Sequence, residues 1–312
     1  MSGKPVEVWR GCANAWECDH VGHLNTRYYV VRVEQALAEL TRRLELADFV
    51  SAAGKHRLLV RSQHMRFLRE ARAGTALHAT GQVLSWGRDD AQVLFVISHS
   101  VSGQVAATFR LSLAFVERDS ERPCPWPEHA ARAAAAFTCD APEEAKPRSV
   151  SLDVAEVTAS LERARQLNMQ TTGFGVIMPD ACDADGRWRL SAFMARVAES
   201  IPHLRNDTWR NVLANTTPGG PRRVGSALTE FHAVHVRWPR VGDCCEVRSG
   251  FAGCTERVTY SSHWLLDPRT GAPWAAVRTV GIALDLDARR SLPLTAEAQA
   301  AFRASSVEGL GF

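Results

Sequence analysis

Apolar residues recur from Tyr29 onward at a spacing typical of one buried face of a helix. They are Tyr29, Val33, Ala36, Leu37, Leu40 and Leu44. Asn25 or Thr26, just before this run, can accept hydrogen bonds from the free amides of a first helical turn. The pattern therefore predicts a long amphipathic helix that begins next to these two polar residues.

Four further segments alternate apolar and polar side chains, as half-buried strands do. They cover residues 57–68, 75–86, 91–100 and 105–116. Turns that contain glycine separate them, at residues 72–74, 87–90 and 102–103. With one short strand before the helix, this order predicts an α+β domain in which an antiparallel sheet wraps around the helix.

The second half of the chain repeats the first. Pairs at a spacing of 164 residues are Asp19 and Asp183, Gly22 and Gly186, Arg32 and Arg196, and His99 and His263. Pairs at a spacing of 168 residues are His64 and His232, Arg69 and Arg237, and Arg110 and Arg278. A tandem duplication explains both sets, because the spacing changes only where a turn or loop can absorb the difference.

The duplication predicts two domains of the same fold. Residues 1–137 form the first domain with a short helix at its end. Residues 138–164 form a linker and the start of a connecting helix, which the pattern places at 151–167. Residues 165–312 form the second, diverged domain.

Composition narrows the function classes. The chain has 312 residues, 46% apolar and 23% charged, as soluble globular proteins do. A net charge of +3 offers no support for nucleic-acid binding. A signal peptide, a membrane-spanning apolar run and a CxxC or zinc spacing among the eight cysteines are all missing. We therefore expect a cytoplasmic protein with reduced thiols and no membrane contact.

A compact set of polar residues precedes the predicted helix: Asp19, Gly22, His23 and Asn25. The free amides and the positive dipole end of a helix N-terminus can polarise a carbonyl or hold an oxyanion. Asp19 lies a few residues upstream, where it can act as a general base or as a nucleophile on the same carbon.

This segment resembles the signature of hotdog-fold acyl-CoA thioesterases of the 4-hydroxybenzoyl-CoA thioesterase type. That signature has an Asp, two residues, Gly-His, an apolar residue and Asn, followed by an aromatic residue and the long central helix. The matching residues are Asp19, Gly22, His23, Leu24, Asn25 and Tyr28 or Tyr29. The resemblance implies two tandem hotdog domains that form a pseudo-dimer within one chain, with hydrolysis of an acyl thioester as the reaction.

The resemblance also implies roles for individual residues. Asp19 is the expected catalytic acid, and His23 and Asn25 are expected to position the loop or a water. The expected substrate-binding residues are Gly22, Thr26, Tyr28, Arg66 and Arg69, the arginines facing phosphates of coenzyme A. No cofactor is expected beyond coenzyme A as part of the substrate. The thiol partner is acyl-CoA or an acyl carrier protein, and pseudo-dimers could pair into homo-oligomers.

The second half has lost part of the motif, since Gly186 is followed by Arg187, Trp188 and Arg189. Asp183 survives, and Glu199 in the second helix offers another acid, alone or together with Asp19. The three acids Asp180, Asp183 and Asp185 lack the glycine and the distal glutamate of a calcium loop, so we predict no metal site.

Two other functions remain open. A hotdog-fold hydratase or dehydratase would also bind acyl thioesters, but its motif has Asn-Pro after the Asp and a His five residues after it. This chain has Leu24 at that position and contains no Asn-Pro. A non-catalytic acyl-thioester binding protein is the other alternative.

Overall fold

A computed structural model describes residues 3–46, 53–153, 156–204, 207–216 and 223–310. Its contacts divide the chain into two compact units. Unit 1 consists of Met1–Pro147 and Pro179–Ala195, and unit 2 consists of Arg148–Met178 and Arg196–Phe312. The predicted second domain, 165–312, therefore differs from unit 2, because residues 179–195 make most of their contacts with the first half. The predicted domain limits remain a prediction about the duplication.

Unit 1 contains a five-stranded antiparallel sheet. Its strands are β1 (Val6–Cys12), β2 (His56–Phe67), β3 (Ala76–Trp86), β4 (Asp90–His99) and β5 (Val105–Glu117). They are ordered β1-β3-β4-β5-β2 across the sheet. The predicted strands are confirmed, because the alternating residues do lie in hydrogen-bonded antiparallel pairs.

The helix α1 (Thr26–Arg43) lies against β1 and β3, and its predicted start next to Asn25 is confirmed. Its apolar face is buried, with Val30, Val33 and Leu40 fully inaccessible to solvent. A shorter helix, α2 (Glu128–Ala135), follows β5 and contacts β3. Burial of one helix face against the sheet is the main source of stability for such a layer.

Unit 2 has its own antiparallel sheet. Its strands are β6 (Gln170–Val176), β7 (Val224–His235), β8 (Cys244–Cys254), β9 (Thr259–Leu266), β10 (Pro273–Asp285) and β11 (Arg290–Leu292). The order is β6-β8-β9-β10-β7, and β11 pairs with β10. The remaining helices of the chain are α3 (Leu161–Gln166), α4 (Leu190–Ser200), α5 (Asp207–Thr216) and α6 (Ala296–Ala304).

The connecting helix predicted at 151–167 was placed too early. Helix α3 begins only at Leu161, where the Ser160 hydroxyl accepts a hydrogen bond from the Arg163 amide at 3.1 Å. Ser160 therefore supplies the N-cap that the prediction had assigned to residues near 151. Of the helices in the described ranges, none has both the length and the apolar composition that crossing a membrane requires.

The two halves correspond residue by residue at a spacing of 164 up to the central helix. Strands β1 and β6 have matching limits, and their ladders are irregular at matching positions, between Glu7 and Trp9 and between Thr171 and Gly173. Helices α1 and α4 begin 164 residues apart as well. Each loop before the helix carries a short 3-10 turn, at Ala15–Glu17 and Pro179–Ala181.

From the second strand onward the spacing is 168. His64 pairs with Arg110 in unit 1, and His232 pairs with Arg278 in unit 2, as the spacing requires. The match of His99 with His263 is wrong. Strand β4 places Phe95 opposite Phe109, and β9 places His263 opposite Val277, so Phe95 is the counterpart of His263.

Candidate active site

The segment before α1 forms a tight turn that Asp19 closes. The Asp19 amide donates to the His23 carbonyl at 2.8 Å, and the Gly22 amide donates to the Asp19 carbonyl at 2.9 Å. Gly22 has φ +81°, a left-handed conformation that costs a residue with a side chain about 1–2 kcal/mol. The glycine of the motif is therefore required by the turn itself.

The Asp19 carboxylate is half-buried and held by backbone amides. Its Oδ1 accepts hydrogen bonds from Val21 at 3.0 Å and from His23 at 3.1 Å. Its Oδ2 has no hydrogen-bond partner within the described ranges. One carboxylate oxygen thus fixes the side chain, and the other is available for chemistry.

His23 pairs with a carboxylate that the sequence analysis did not single out. Its Nε2 lies 2.9 Å from Oε1 of Glu70, which follows β2 in the chain. Glu70 also contacts Arg72, at 3.2 Å between Oε2 and Nη2. A carboxylate in this position fixes the orientation of the imidazole ring. Residues 46 positions apart in sequence give no local signal for such a pair.

Asn25 is the N-cap of α1. Its Oδ1 accepts from the Arg27 amide at 2.9 Å, and its own amide donates to the Glu17 carbonyl at 2.9 Å. The preceding helix amide, that of Thr26, has no acceptor in the described part of the chain. The predicted capping by Asn25 is confirmed, and one first-turn N–H remains to receive an incoming oxygen.

The two tyrosines of the motif have different environments. Tyr28 is half-buried beside Arg27, whose guanidinium lies 5.9 Å from the ring centroid. Tyr29 is buried, with ring centroids 5.4 Å from Phe67 and 6.4 Å from Phe109, and burial raises the pKa of its phenol. Tyr29 is therefore a core residue, and Tyr28 is the aromatic side chain that stays near the surface.

A buried ion pair supports the loop from below. The Arg32 Nη2 atom donates to both Glu17 oxygens at 2.5 and 2.6 Å, and the Asn14 amide donates to the same carboxylate at 3.0 Å. Burial alone would raise the pKa of Glu17, but the Asn14 and Arg32 hydrogen bonds outweigh it and lower this pKa. The Arg32 guanidinium also lies over the Trp9 ring, at 5.2 Å.

The second motif loop, which lies in unit 1, has the same backbone. The Asp183 amide donates to the Arg187 carbonyl at 2.7 Å, and Gly186 has φ +72°. Asp183 Oδ1 accepts from the amides of Asp185 and Arg187, each at 2.9 Å. Asp183 thus performs the same structural task as Asp19.

The side chains of this second loop are bound to arginines and acids of unit 1. Arg57 lies 3.3 Å from Asp185 and 3.6 Å from Asp183, and Arg118 donates to Asp185 as well. Arg187 pairs with Glu121. Burial and the nearby Arg187 lower the pKa of Arg57 to about 10. Two of the three crowded acids therefore serve ion pairs.

The N-terminus of α4 already holds a carboxylate. Glu34, which projects from α1, accepts from both the amide and the hydroxyl of Ser191, each at 2.9 Å. Burial raises the pKa of Glu34, although Ser191 and the charge of Arg189 oppose the shift. Sequence reasoning missed Glu34, because it looked like one more polar residue on the helix.

The other predicted residues lie apart from the Asp19 turn or are already used. Nη1 of Arg66 donates to the carbonyls of Glu144 and Lys146, at 2.9 and 3.0 Å, and so ties down the segment after α2. Arg69 is exposed. Glu199 is exposed in unit 2, where it lines a cleft. Nothing in these contacts tests their predicted roles in substrate binding.

Comparison with known proteins gives one family match. Residues 13–134 match the thioesterase-like superfamily, a range that contains the Asp19 turn, α1 and strands β2 to β5. No curated protein sequence matches the chain.

Solved structures match over nearly the whole chain. An oleoyl thioesterase from Lactobacillus plantarum is 11% identical, with a TM-score of 0.67 over 93% of this chain and 98% of that one. A 12:0-ACP thioesterase from Umbellularia californica is 11% identical, with a TM-score of 0.65 over 89% and 94%. An acyl-ACP thioesterase from Bacteroides thetaiotaomicron is 10% identical, with a TM-score of 0.60 over 88% and 96%. The α+β hotdog fold predicted from the sequence is thereby confirmed.

Proposed function

We propose that this chain is a hydrolase of acyl thioesters, with one competent site at the Asp19 turn and the N-terminus of α1. The thioesterase-like match covers this turn and the helix that follows it. The observation that carries the assignment is the Asp19 carboxylate, which has one oxygen fixed by two amides and one available next to a capped helix start.

The proposed reaction uses the charges at this turn. Asp19 either removes a proton from water, which then adds to the thioester carbonyl, or attacks the carbonyl carbon itself. First-turn amides such as that of Thr26 stabilise the oxyanion, a contribution of about 3 kcal/mol for one donor of this kind. The carbon–sulfur bond then breaks, and a proton passes to the leaving thiolate. Both routes release a carboxylic acid and a free thiol.

Two residues position this machinery. His23, oriented by Glu70, can hold a water or the thioester by a hydrogen bond. Asn25 fixes the first turn of α1 and so aims its amides. We propose Gly22, Thr26 and Tyr28 as neighbours of the bound thioester, because they form the turn and the first helical turn.

The second loop is the weaker candidate. Arg187 and Arg189 replace the histidine and the asparagine of the first loop, and Asp183 lies beside Arg57. The carboxylate of Glu34 already occupies the helix amide at Ser191, where a thioester carbonyl would otherwise bind. We therefore assign the chemistry to the first of two tandem copies that arose by duplication.

The thiol partner is coenzyme A or an acyl carrier protein. Two structural neighbours with this fold are named as acyl-ACP thioesterases. Since the Arg66 guanidinium is used by backbone carbonyls, Arg69 is the better candidate of the two for a phosphate of either carrier.

The decisive experiment compares Asp19→Asn with Asp183→Asn in thiol release from acyl-CoA and acyl-carrier-protein thioesters of different chain length. Asparagine keeps the Oδ1 acceptor that each turn needs, so both variants should fold with a similar melting temperature. Asp19→Asn should lose activity by about 10²–10⁴-fold, the usual contribution of a general base, and Asp183→Asn should retain it. Equal activity in the two variants would contradict the assignment.

A non-catalytic binding protein is the second candidate, and one observation favours it. Asp183 makes the same turn as Asp19 without the rest of the motif, so an aspartate here is explained by structure alone. If no thioester is cleaved while an acyl thioester raises the melting temperature, the chain is a binding protein. If an enoyl thioester is hydrated instead, the hydratase alternative holds.

A further inference from the structure

Arg32 is enclosed by two side chains of its own half. The Glu17 carboxylate binds its guanidinium, and the Trp9 ring lies against it. The Trp9 ring in turn covers Gly11, because a Cβ at Gly11 would lie 2.7 Å from that ring. The first half thus fills the space between β1 and α1 with an indole and a carboxylate.

The second half lacks both groups. At the spacing of 164 residues, Arg196 corresponds to Arg32, but Gly173 stands for Trp9 and Ala181 stands for Glu17. In unit 2 the Arg196 guanidinium lies over Gly175, with Nη1 3.3 Å from where a Cβ would be. Arg196 therefore occupies part of the place that the indole has in the first half.

A cleft fills the rest of that place. Its volume is about 320 Å³, which is at the lower end for small-molecule sites. Thr171, Gly173, Phe174, Arg196, Glu199 and His203 line it. Phe174 is 79% exposed, which is unusual for a large aromatic side chain that has no ligand to cover it.

We propose that this cleft in unit 2 binds a small aromatic carboxylate, whose ring replaces the indole of Trp9 and whose carboxylate replaces that of Glu17. The ring would lie over Gly173 and against Phe174, where offset or edge contacts between aromatic groups are favourable. The carboxylate would accept charge-assisted hydrogen bonds from Arg196, whose planar fork suits that anion. This site is separate from the proposed thioester site and does not depend on it.

The other charged groups of the cleft modify the affinity. Glu199 lies one helical turn from Arg196 and repels an anion, but it is exposed, so solvent screens its charge. His203 is exposed on the opposite side of Glu199 in sequence, and its carbonyl holds Gln170 at 2.6 Å. The proposal therefore makes opposite predictions for Arg196 and Glu199.

The test uses indole-3-acetate, which carries both missing groups, in isothermal titration calorimetry with the full chain. We expect saturable binding at one site, with much weaker binding of indole alone, acetate alone and inorganic phosphate. Equal binding of phosphate would show a general anion site, and equal binding of indole would show an apolar cleft. Either result, or no binding of indole-3-acetate, overturns the proposal.

Three variants locate the site. Arg196→Gln should weaken binding by about tenfold or more, the effect of losing a charge-assisted hydrogen bond. Glu199→Gln should strengthen binding about twofold, since an exposed like charge is removed. Gly173→Trp restores the indole, finds room because a Cβ there meets only ordinary contacts at 3.5 Å, and should abolish binding.

The controls separate this site from the proposed reaction. Asp19→Asn should bind indole-3-acetate as the wild type does, even though it should be inactive. If Gly173→Trp fails to fold, the opposite shifts of Arg196→Gln and Glu199→Gln still decide. Unchanged affinity in both of those variants overturns the assignment to this cleft.

Discussion

The turns at Asp19 and Asp183 have the same backbone in different chemical surroundings. In both, an aspartate accepts from two amides, a glycine has positive φ, and a helix begins seven residues later. Around Asp19 the neighbours are a histidine, an asparagine and a helix amide without an acceptor in the described ranges. Around Asp183 they are arginines and the carboxylate of Glu34.

This difference shows what the aspartate does by itself. Since Asp183 forms the turn without the histidine and asparagine, the aspartate is sufficient for the local backbone. Chemistry at the first turn then depends on the groups that surround it. Variants made in matched pairs, one in each half, separate these two contributions.

The largest expected effect concerns the ion pair beneath the first loop. Arg32→Met should lower the free energy of unfolding by about 3–5 kcal/mol, because it leaves the buried Glu17 carboxylate unpaired. Arg196→Met in the second half should cost clearly less, because Ala181 stands in the place of Glu17. Urea denaturation of both variants measures the difference.

The double variant Arg32→Met with Glu17→Met is the control for this pair. Replacing both partners by apolar groups should restore much of the lost stability, since no buried charge remains. Equal losses for Arg32→Met and Arg196→Met would show that the two arginines have equivalent environments, against the structure.

A second contrast lies in the two cores. Val8, Gly81, Phe95 and Leu111 form an apolar group in the first half. Their counterparts form a buried hydrogen-bonded chain in the second half, with Thr172 2.7 Å from Ser249, Ser249 2.8 Å from His263, and His263 3.2 Å from Thr279. Burial lowers the pKa of His263 from 6.5 to about 4.

This histidine should make stability depend on pH. Between pH 6.5 and about 4 the unfolded chain binds a proton that folded His263 does not. Stability is therefore fully present above pH 6.5 and falls as the pH decreases toward 4, by about 3 kcal/mol in total from this group. Denaturation at several pH values measures the slope.

Transplanting the apolar group of the first half tests the cause. The variant Thr172→Val, Ser249→Gly, His263→Phe and Thr279→Leu should flatten the slope between pH 6.5 and 4 while retaining the fold. His263→Phe alone should destabilise the protein, because it leaves buried hydroxyl groups without their partner. An unchanged slope in the fourfold variant would assign the pH dependence to other groups, such as His235.

The sequence predicted the features that depend on neighbours in the chain. The amphipathic helix, the Asn25 cap and the duplication all follow from periodicity and spacing, and the structure has the helix and the cap where they were predicted. Glu34 and Glu70 were missed, because their partners Ser191 and His23 are brought to them only by the fold. Arg66 was assigned to a phosphate because a surface arginine and one that holds a linker look alike in a sequence.

The error over His99 has a similar cause. Identical residues at a spacing of 164 suggested a match with His263, although the surrounding strands follow a spacing of 168. Only the hydrogen-bonding register decides between two such alignments, since a shift of four residues preserves the alternation of a strand. The true counterpart, Phe95, was invisible because its residue type had changed.

A smaller effect concerns the two turn glycines. Gly22→Ala and Gly186→Ala should each cost about 1–2 kcal/mol, since a side chain at positive φ is strained while neither site is crowded. Equal stability losses would show that the two backbones are equivalent in energy as well as in geometry. Thioester hydrolysis should decrease only in Gly22→Ala; a comparable decrease in Gly186→Ala would place chemistry at the second turn.

The smallest effect in stability concerns Asn25. Asn25→Ala should cost about 1 kcal/mol, because the Arg27 amide loses its cap, whereas Asn25→Asp should keep the cap. Arg189→Ala is the matched control, since the Ser191 amide of α4 is bound by Glu34 instead. If Asn25 acts by aiming the helix amides, Asn25→Asp should retain most of the turnover that Asn25→Ala loses. Loss of turnover in both variants, with full stability in Asn25→Asp, would show instead that the neutral amide itself contacts the substrate.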